Sequence, residues 1–332
     1  MRVRKTRQLL LVLCPFLVLF FLYYSIGKLH LWGWGQEPLY DKQGFLLNLD
    51  GNLPLELMYK YGNLSKGVCK PSYAAAKMSA IYPKFTKPAP MFLDMNYRRF
   101  SKISNFFPPF GTRMQERILD VILKTTKSYG LGEELDWLNE APVRGYEKDV
   151  GSRTTMRITY PEGAIQKAEL YEKDSLFVLS AFKPSDFQWL RSMLFKRRLH
   201  NPEGFWKSVA RHVPREPSDM RILNPYFIQE ASFRLIGLPH NNGQMGRGNI
   251  PTLGTVAITM ALHNCDEVAV AGFGYDMTAP HAPLHYYEKI RMAAIKESWT
   301  HNICKEKEFL IKLVKAGVIQ DLTNGICGSG CW

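Results

Sequence analysis

Gly243-Gln-Met-Gly-Arg-Gly-Asn-Ile-Pro-Thr-Leu-Gly254, the apolar run Thr255–His263 and Val268-Ala-Val-Ala-Gly-Phe-Gly274 follow one another directly. The first is a loop by its glycines. The second has the length and apolarity of a buried helix. The third has the short apolar character of a buried strand. A loop, a helix and an all-apolar strand in this order describe an α/β layer with a parallel sheet, because parallel strands covered on both faces read as continuous apolar runs.

Working outward, Met114–Tyr129 has helical spacing, with Ile118, Leu119, Val121, Ile122 and Leu123. Met156–Tyr160, Leu176–Phe182 and Arg221–Leu223 read as strands. Pro225–Leu235 reads as a helix, and Ala293–Ala316 as one or two helices. Residues 27–110 are rich in Pro, Gly and Lys, and are expected to form a stem. Residues 111–332 are expected to be the globular body.

The amino terminus has its own signature. Arg2, Arg4, Lys5 and Arg7 precede an apolar run over residues 9–26. That length is near the lower limit for a membrane-spanning helix. Basic residues ahead of it stay cytosolic, so residues 1–8 are a cytosolic tail. Trp32 and Trp34 follow in place of small cleavage-site residues, which favours an uncleaved signal anchor. The body then lies in the oxidising secretory lumen. Cys69, Cys265, Cys304, Cys327 and Cys331 lie beyond the span, so at least one is unpaired or bonded to another chain. Asn63-Leu-Ser65 is an N-glycosylation sequon on the luminal side.

The chain has 332 residues, 46% hydrophobic content, 7 Trp and 16 Tyr, which is enough for a core and excludes a disordered chain. The net charge of +13 suits an anionic partner. No zinc-finger spacing or RNA-binding aromatic signature is present, so nucleic acid is not the expected partner.

Three features carry chemistry. The glycines of residues 243–254 allow backbone amides to approach an anion, and Thr252 and Gly254 open a helix whose amino end favours negative charge. His285, in His285-Tyr-Tyr-Glu288, follows a Pro-flanked turn and can donate to a leaving phosphate. His301 stands at the start of the last helix, where a neutral imidazole suited to base catalysis is favoured. Each has a plainer reading when taken alone: an ordinary connection, a surface histidine beside aromatic residues, a histidine near a helix cap. Glu306 reads equally as part of a solvated face with Lys305 and Lys307. No Asp-x-Asp occurs, so a site without a metal is expected.

As an ordered set these residues resemble the animal sialyltransferase family. The motifs are Arg221-Ile-Leu-Asn-Pro-Tyr226 through Thr252-Leu-Gly254 and Cys265-Asp-Glu267, then His285-Tyr-Tyr-Glu288, then His301-x4-Glu306. Gly44-Phe-Leu-Leu-Asn-Leu-Asp50, Lys87-Pro-Ala-Pro-Met-Phe-Leu-Asp94 and Ala293-Ala-Ile-Lys-Glu-Ser-Trp-Thr-His-Asn302 are similar to its beta-galactoside alpha-2,3 branch, type III in particular. The resemblance implies a Rossmann-like variant of the GT-A fold in the Golgi membrane, single-pass type II, with possible homodimers. It implies inverting, metal-independent transfer from CMP-sialic acid to the 3-hydroxyl of a galactose-terminated glycan. His301 matches the general base and His285 the residue that stabilises departing CMP. Asn139, Thr252, Gly254 and Gly274 match donor-binding positions.

The chain departs from the family in its large motif. Only Leu138-Asn139-Glu-Ala-Pro-Val143 remains of it, joined directly to Leu135-Asp136-Trp137. The missing piece is about one βα unit, on the order of 30 residues. By resemblance it carried the first nucleotide-binding turn and the cysteine that bridges to the position of Cys265. A form impaired in catalysis, acting as a Golgi interaction protein, is the alternative this departure raises.

Overall fold

A computed structural model describes residues 15, 18–21, 23, 39–47, 72–85, 89–99, 103–126, 143–152, 154–199, 203–276, 279–287, 289–297 and 299–328. Asn63 and Asn139 lie outside these residues, as does the junction at residues 135–142. The chain divides into two units, residues 1–48 and 49–332.

In the first unit the described part of the expected anchor is helical, with Val18, Leu19, Phe20, Phe21 and Tyr23 all exposed. Among the described residues, no helix is long and apolar enough to cross a membrane. Further on, the Asp41 carboxylate accepts from the backbone amides of Gln43, Gly44 and Phe45, each at 2.9 Å, and holds a tight turn.

The second unit is built on three parallel strands, β1 (Met156–Thr159), β2 (Leu176–Leu179) and β3 (Met220–Ile222), in the order β1-β2-β3. The register runs Met156↔Leu176 and Phe177↔Met220. Side chains alternate between two cores, as a period of two requires. Phe177, Leu179, Met220 and Ile222 face one core with α2 (Glu116–Thr126) and α3 (Pro184–Leu194). Met156, Ile158 and Val178 face the other, with Val256 and Met260 of α5 (Leu253–Asn264) and Phe227 of α4 (Tyr226–Gln229). In α2 the buried residues are Leu119, Ile122, Leu123 and Thr126, one stripe of a helical surface. The α4 helix continues as a π-helix over Glu230–Ile236.

A second parallel pair, β4 (Ala269–Val270) and β5 (Gln320–Asp321), follows α5 and α6 (Ile303–Lys315). The layered α/β arrangement is the expected one. The strand expected over Glu267–Ala271 is reduced to two residues. Among the described residues the sheet is divided, and β1 and β4 each have a strand neighbour on one edge alone.

The expected stem is shorter than residues 27–110. Helix α1 (Tyr73–Ile81) buries Ala74, Met78 and Ile81. Leu93, Tyr97 and Ile103 join one core, and Met91, Phe92 and Phe110 the other. Residues 91–93 also cover the outer edge of β3, through Leu93 N–H to Ile222 O at 2.9 Å and Asn224 N–H to Met91 O at 3.0 Å. Prolines and lysines dominate the composition here, but the few apolar residues among them are the ones the sheet needs.

Candidate active site

The glycine loop is folded rather than open. Asn241, Asn242 and Gly243 all have positive φ, and a Cβ on Gly243 would lie 2.2 Å from the Phe106 ring. The fully buried Asn249 staples the loop across its width. Its Oδ1 accepts from Gly246 N–H at 2.8 Å and its Nδ2 donates to Gln244 O at 2.7 Å.

The end of this loop lies against the segment that carries His301. Gly248 N–H donates to Trp299 O at 2.9 Å and Ile250 N–H to Thr300 O at 3.3 Å. His301 Nδ1 lies 2.9 Å from Ile250 O. A carbonyl oxygen only accepts, so the neutral ring carries its proton on Nδ1 and keeps the Nε2 lone pair. That is the tautomer a base on a hydroxyl requires.

One turn further, Glu306 reaches back across the loop. Thr252 N–H donates to both of its oxygens at 3.0 Å. The Thr252 and Thr255 hydroxyls donate at 2.6 and 2.7 Å. Glu306 is 1% exposed, so it does not form a solvated face with its neighbours. Burial raises its carboxyl above the ordinary carboxylate range, while the Thr252 and Thr255 bonds and nearby His301 pull it down. Lys305 and Lys307 instead donate to the carbonyls of Gly237 and Tyr275, at 3.1 and 2.9 Å.

Both helices are capped at this point. Thr252 accepts from Thr255 N–H at 3.3 Å to open α5, and Asn302 accepts from Lys305 N–H at 3.2 Å to open α6. The amides of Gly246, Gly248, Ile250 and Thr252 are therefore committed within the protein. Among the described residues the Leu253 and Gly254 amides at the amino end of α5 have no acceptor, so an anion placed here meets these two.

Gly254 and Gly274 meet through Phe273. A Cβ on Gly254 would lie 2.6 Å from the Phe273 ring, and one on Gly274, at φ +97°, would lie 2.0 Å from Gly325 O. Burial and then the charge of Glu306 push the Tyr275 phenol up to about 12, with the Thr252 side chain opposing. The structure thus brings together Thr252, Gly254, Gly274 and His301.

His285 belongs to a different segment. It is exposed on a hairpin closed by Leu284 N–H to Ile290 O at 2.7 Å and by the Pro283–Arg291 bridge. Its ring stacks on Tyr287, with centroids 5.5 Å apart at 11°. Sequence reasoning placed it at the start of an element; it lies inside a turn. The Ile250 carbonyl that pairs with His301 and the Thr255 hydroxyl that donates to Glu306 are contacts the sequence reading missed. Among the described residues, no group of three or more His, Cys, Asp or Glu side chains could hold a metal ion. Cys327 is disulfide-bonded, and Cys304 is an exposed thiol.

A half-buried histidine with its Nδ1 fixed by a carbonyl lies here beside a helix amino terminus, in an α/β layer. The family model for glycosyltransferase family 29 (sialyltransferase) matches residues 137–318, and the chain belongs to that family. It is 57% identical to the human CMP-N-acetylneuraminate-beta-1,4-galactoside alpha-2,3-sialyltransferase, over 96% of this chain and 98% of that protein. The mouse protein of the same description is 58% identical, with the same coverage. A solved mammalian sialyltransferase structure is 21% identical, with a TM-score of 0.45, over 85% of this chain and 90% of that one.

The alignment with the human protein runs to 368 residues. The 96% of this 332-residue chain that it covers is about 319 residues, so about 49 of its positions (368 less 319) have no counterpart here. The expected deficit was one βα unit, and the alignment holds room for it and more.

Proposed function

We propose that the chain transfers sialic acid from CMP-sialic acid to the 3-hydroxyl of a terminal galactose, inverting and without a metal. The observation that carries this is the His301 geometry: Nδ1 is bonded to Ile250 O, which leaves the Nε2 lone pair to take a proton, and among the described residues the Leu253 and Gly254 amides of the neighbouring helix terminus have no acceptor. The names of the 57–58% identical relatives supply the donor, the galactoside and the linkage.

In this reading His301 Nε2 removes the galactose 3-hydroxyl proton as that oxygen attacks the anomeric carbon of sialic acid. The bond from that carbon to the CMP phosphate oxygen breaks. The Leu253 and Gly254 amides and His285 stabilise the phosphate that leaves. The exposed apolar helix over residues 18–21 fits a signal anchor, and the disulfide at Cys327 fits an oxidising lumen. We place the chain in the Golgi membrane as a single-pass type II protein.

The shortened donor side makes slow turnover the expected outcome. The test uses the full-length chain in detergent with labelled CMP-sialic acid and an N-acetyllactosamine acceptor. A linkage-selective sialidase identifies the product, and His301→Ala is the control. Weak alpha-2,3 transfer that disappears in the control is expected. No transfer, or transfer unchanged in His301→Ala, overturns the reading.

A further inference from the structure

We propose that Thr255 is a positioning residue for the His301 base: its hydroxyl anchors Glu306, and that anchor holds the first turn of α6, and with it His301, against the amino end of α5. The proposal rests on the reading of His301 as the base. Thr255 is 1% exposed, so it stands behind the site and meets neither substrate. It acts through Glu306 and the helix that carries it.

The directions of the hydrogen bonds set its role. A carboxylate accepts and does not donate, so the Thr252 and Thr255 hydroxyls both give their protons to Glu306 Oε2, at 2.6 and 2.7 Å. Thr252 is the half-buried cap residue, still in extended backbone at the end of the glycine loop. Thr255 is fully buried in the first turn of α5. Its N–H bonds Thr252 Oγ1 at 3.3 Å, and its carbonyl accepts from Thr259 Oγ1 at 2.9 Å. Thr255 therefore ties the carboxylate to the helix itself, where Thr252 ties it to the loop.

From Glu306 the constraint passes to His301. Glu306 lies in the first turn of α6, and its N–H donates to Asn302 O at 3.1 Å. Asn302 caps α6 through Lys305 N–H and directly follows His301. On the other side His301 Nδ1 meets Ile250 O at 2.9 Å, and Ile250 N–H donates to Thr300 O at 3.3 Å. Two attachments therefore bracket the imidazole, one to the glycine loop and one to α5. The loop contact selects the ring tautomer. The Thr255 contact fixes where α6 begins, and so keeps the ring within reach of the Ile250 carbonyl. A base held at one point alone can pivot, and misdirection of its lone pair costs rate.

Thr255→Val keeps the branched shape and removes the donor, and Thr255→Ser restores the donor. The informative probe is the histidine imidazole 15N spectrum of the full-length chain in detergent, with the His301 signal assigned by its loss in His301→Ala. The unaltered chain and Thr255→Ser are expected to give one Nδ1–H tautomer. Thr255→Val is expected to show mixed tautomers at His301. Thr255→Ala makes the same loss in another form, and its spectrum decides the matter where Thr255→Val does not fold. Thr259→Val is the control, since it removes a buried hydroxyl from the same helix without touching Glu306, and its His301 signal is expected to be unaltered. A second readout is transfer: kcat about tenfold lower in Thr255→Val with the donor KM within about twofold, the pattern of lost orientation. An unchanged His301 spectrum on loss of the hydroxyl overturns the proposal. A loss that Thr255→Ser does not restore, or one that Thr259→Val reproduces, marks general loosening of α5 and overturns it too. If the unaltered chain transfers nothing, the proposed function fails while the spectrum still decides the role of Thr255.

Discussion

His301 and His285 are read from the same kind of motif, yet the fold treats them oppositely. His301 is half-buried, tied to Ile250 O, and stands in a segment that makes two further backbone bonds to the glycine loop. His285 is exposed on a hairpin and stacked on Tyr287. The contrast follows from the proposed chemistry. A base must hold its lone pair in one direction before the acceptor arrives, because misplacement costs rate directly. A group that meets a departing phosphate can be brought in by the donor itself.

The largest expected effect tests that contrast. His301→Ala should lower kcat by at least about 10³-fold, in the range for a general base, with donor affinity by calorimetry with CMP nearly unchanged. His285→Ala should lower it by less, about 10²-fold or under, and should weaken CMP binding. Equal losses in both, with CMP affinity unmoved in both, would remove the distinction between a fixed base and a mobile phosphate contact.

The next test compares two glycines beside these regions. Both Gly274 and Gly248 have positive φ, but Gly274 is pressed against Gly325 O and Gly248 has open space where a Cβ would go. Gly274→Ala therefore combines left-handed strain with a backbone collision and should cost about 3–5 kcal/mol. Gly248→Ala carries the strain alone, about 1–2 kcal/mol. Urea unfolding distinguishes them. If the two cost the same, the close packing of the 272–275 loop on residues 325–326 is wrong.

Much of this architecture was legible in the sequence, and the failures have definite causes. The helix at Glu116–Thr126 and the three strands were found because their apolar spacing is undisturbed. The order of His285, His301 and Glu306 pointed to the family. Burial of Glu306 was not legible, since lysines on both sides suggest a solvated face. On a helix, however, adjacent residues point in different directions, and Lys305 and Lys307 reach carbonyls on either side while Glu306 turns inward. Composition left the glycine loop open between an anion site and an ordinary connection, because it shows how a loop can bend, not where its amides point; four of those amides bond inside the protein. The stem was overextended because Pro and Lys content hid Met91, Phe92, Leu93 and Phe110, each of which meets its core partner only in three dimensions.

The smallest expected effect contrasts Glu306 with a second buried carboxylate. Asp186 also serves a helix amino terminus, accepting at Oδ2 from Phe182 N–H at 2.7 Å and Lys183 N–H at 3.1 Å. It is a local cap, whereas Glu306 joins two helices and a loop. Its carboxyl is raised from 3.8 to about 6, mainly by burial, with the Lys183 charge opposing. A folded pKa above the unfolded one means that the folded state holds the proton more tightly. That stabilisation is complete below about pH 3.8 and is lost as pH rises through about 6. The shift corresponds to about 2–3 kcal/mol at 1.36 kcal/mol per unit. A side-chain amide at this position would not titrate, so Asp186→Asn should flatten the fall in stability between about pH 4 and 6 while leaving His301-dependent transfer in place. Urea midpoints at pH 4, 5, 6 and 7 for both chains give the slopes. Parallel slopes would mean that Asp186 ionises as if in solvent. Loss of transfer in Asp186→Asn would mean that this local cap is coupled to His301, and the separation between the two carboxylates would fall.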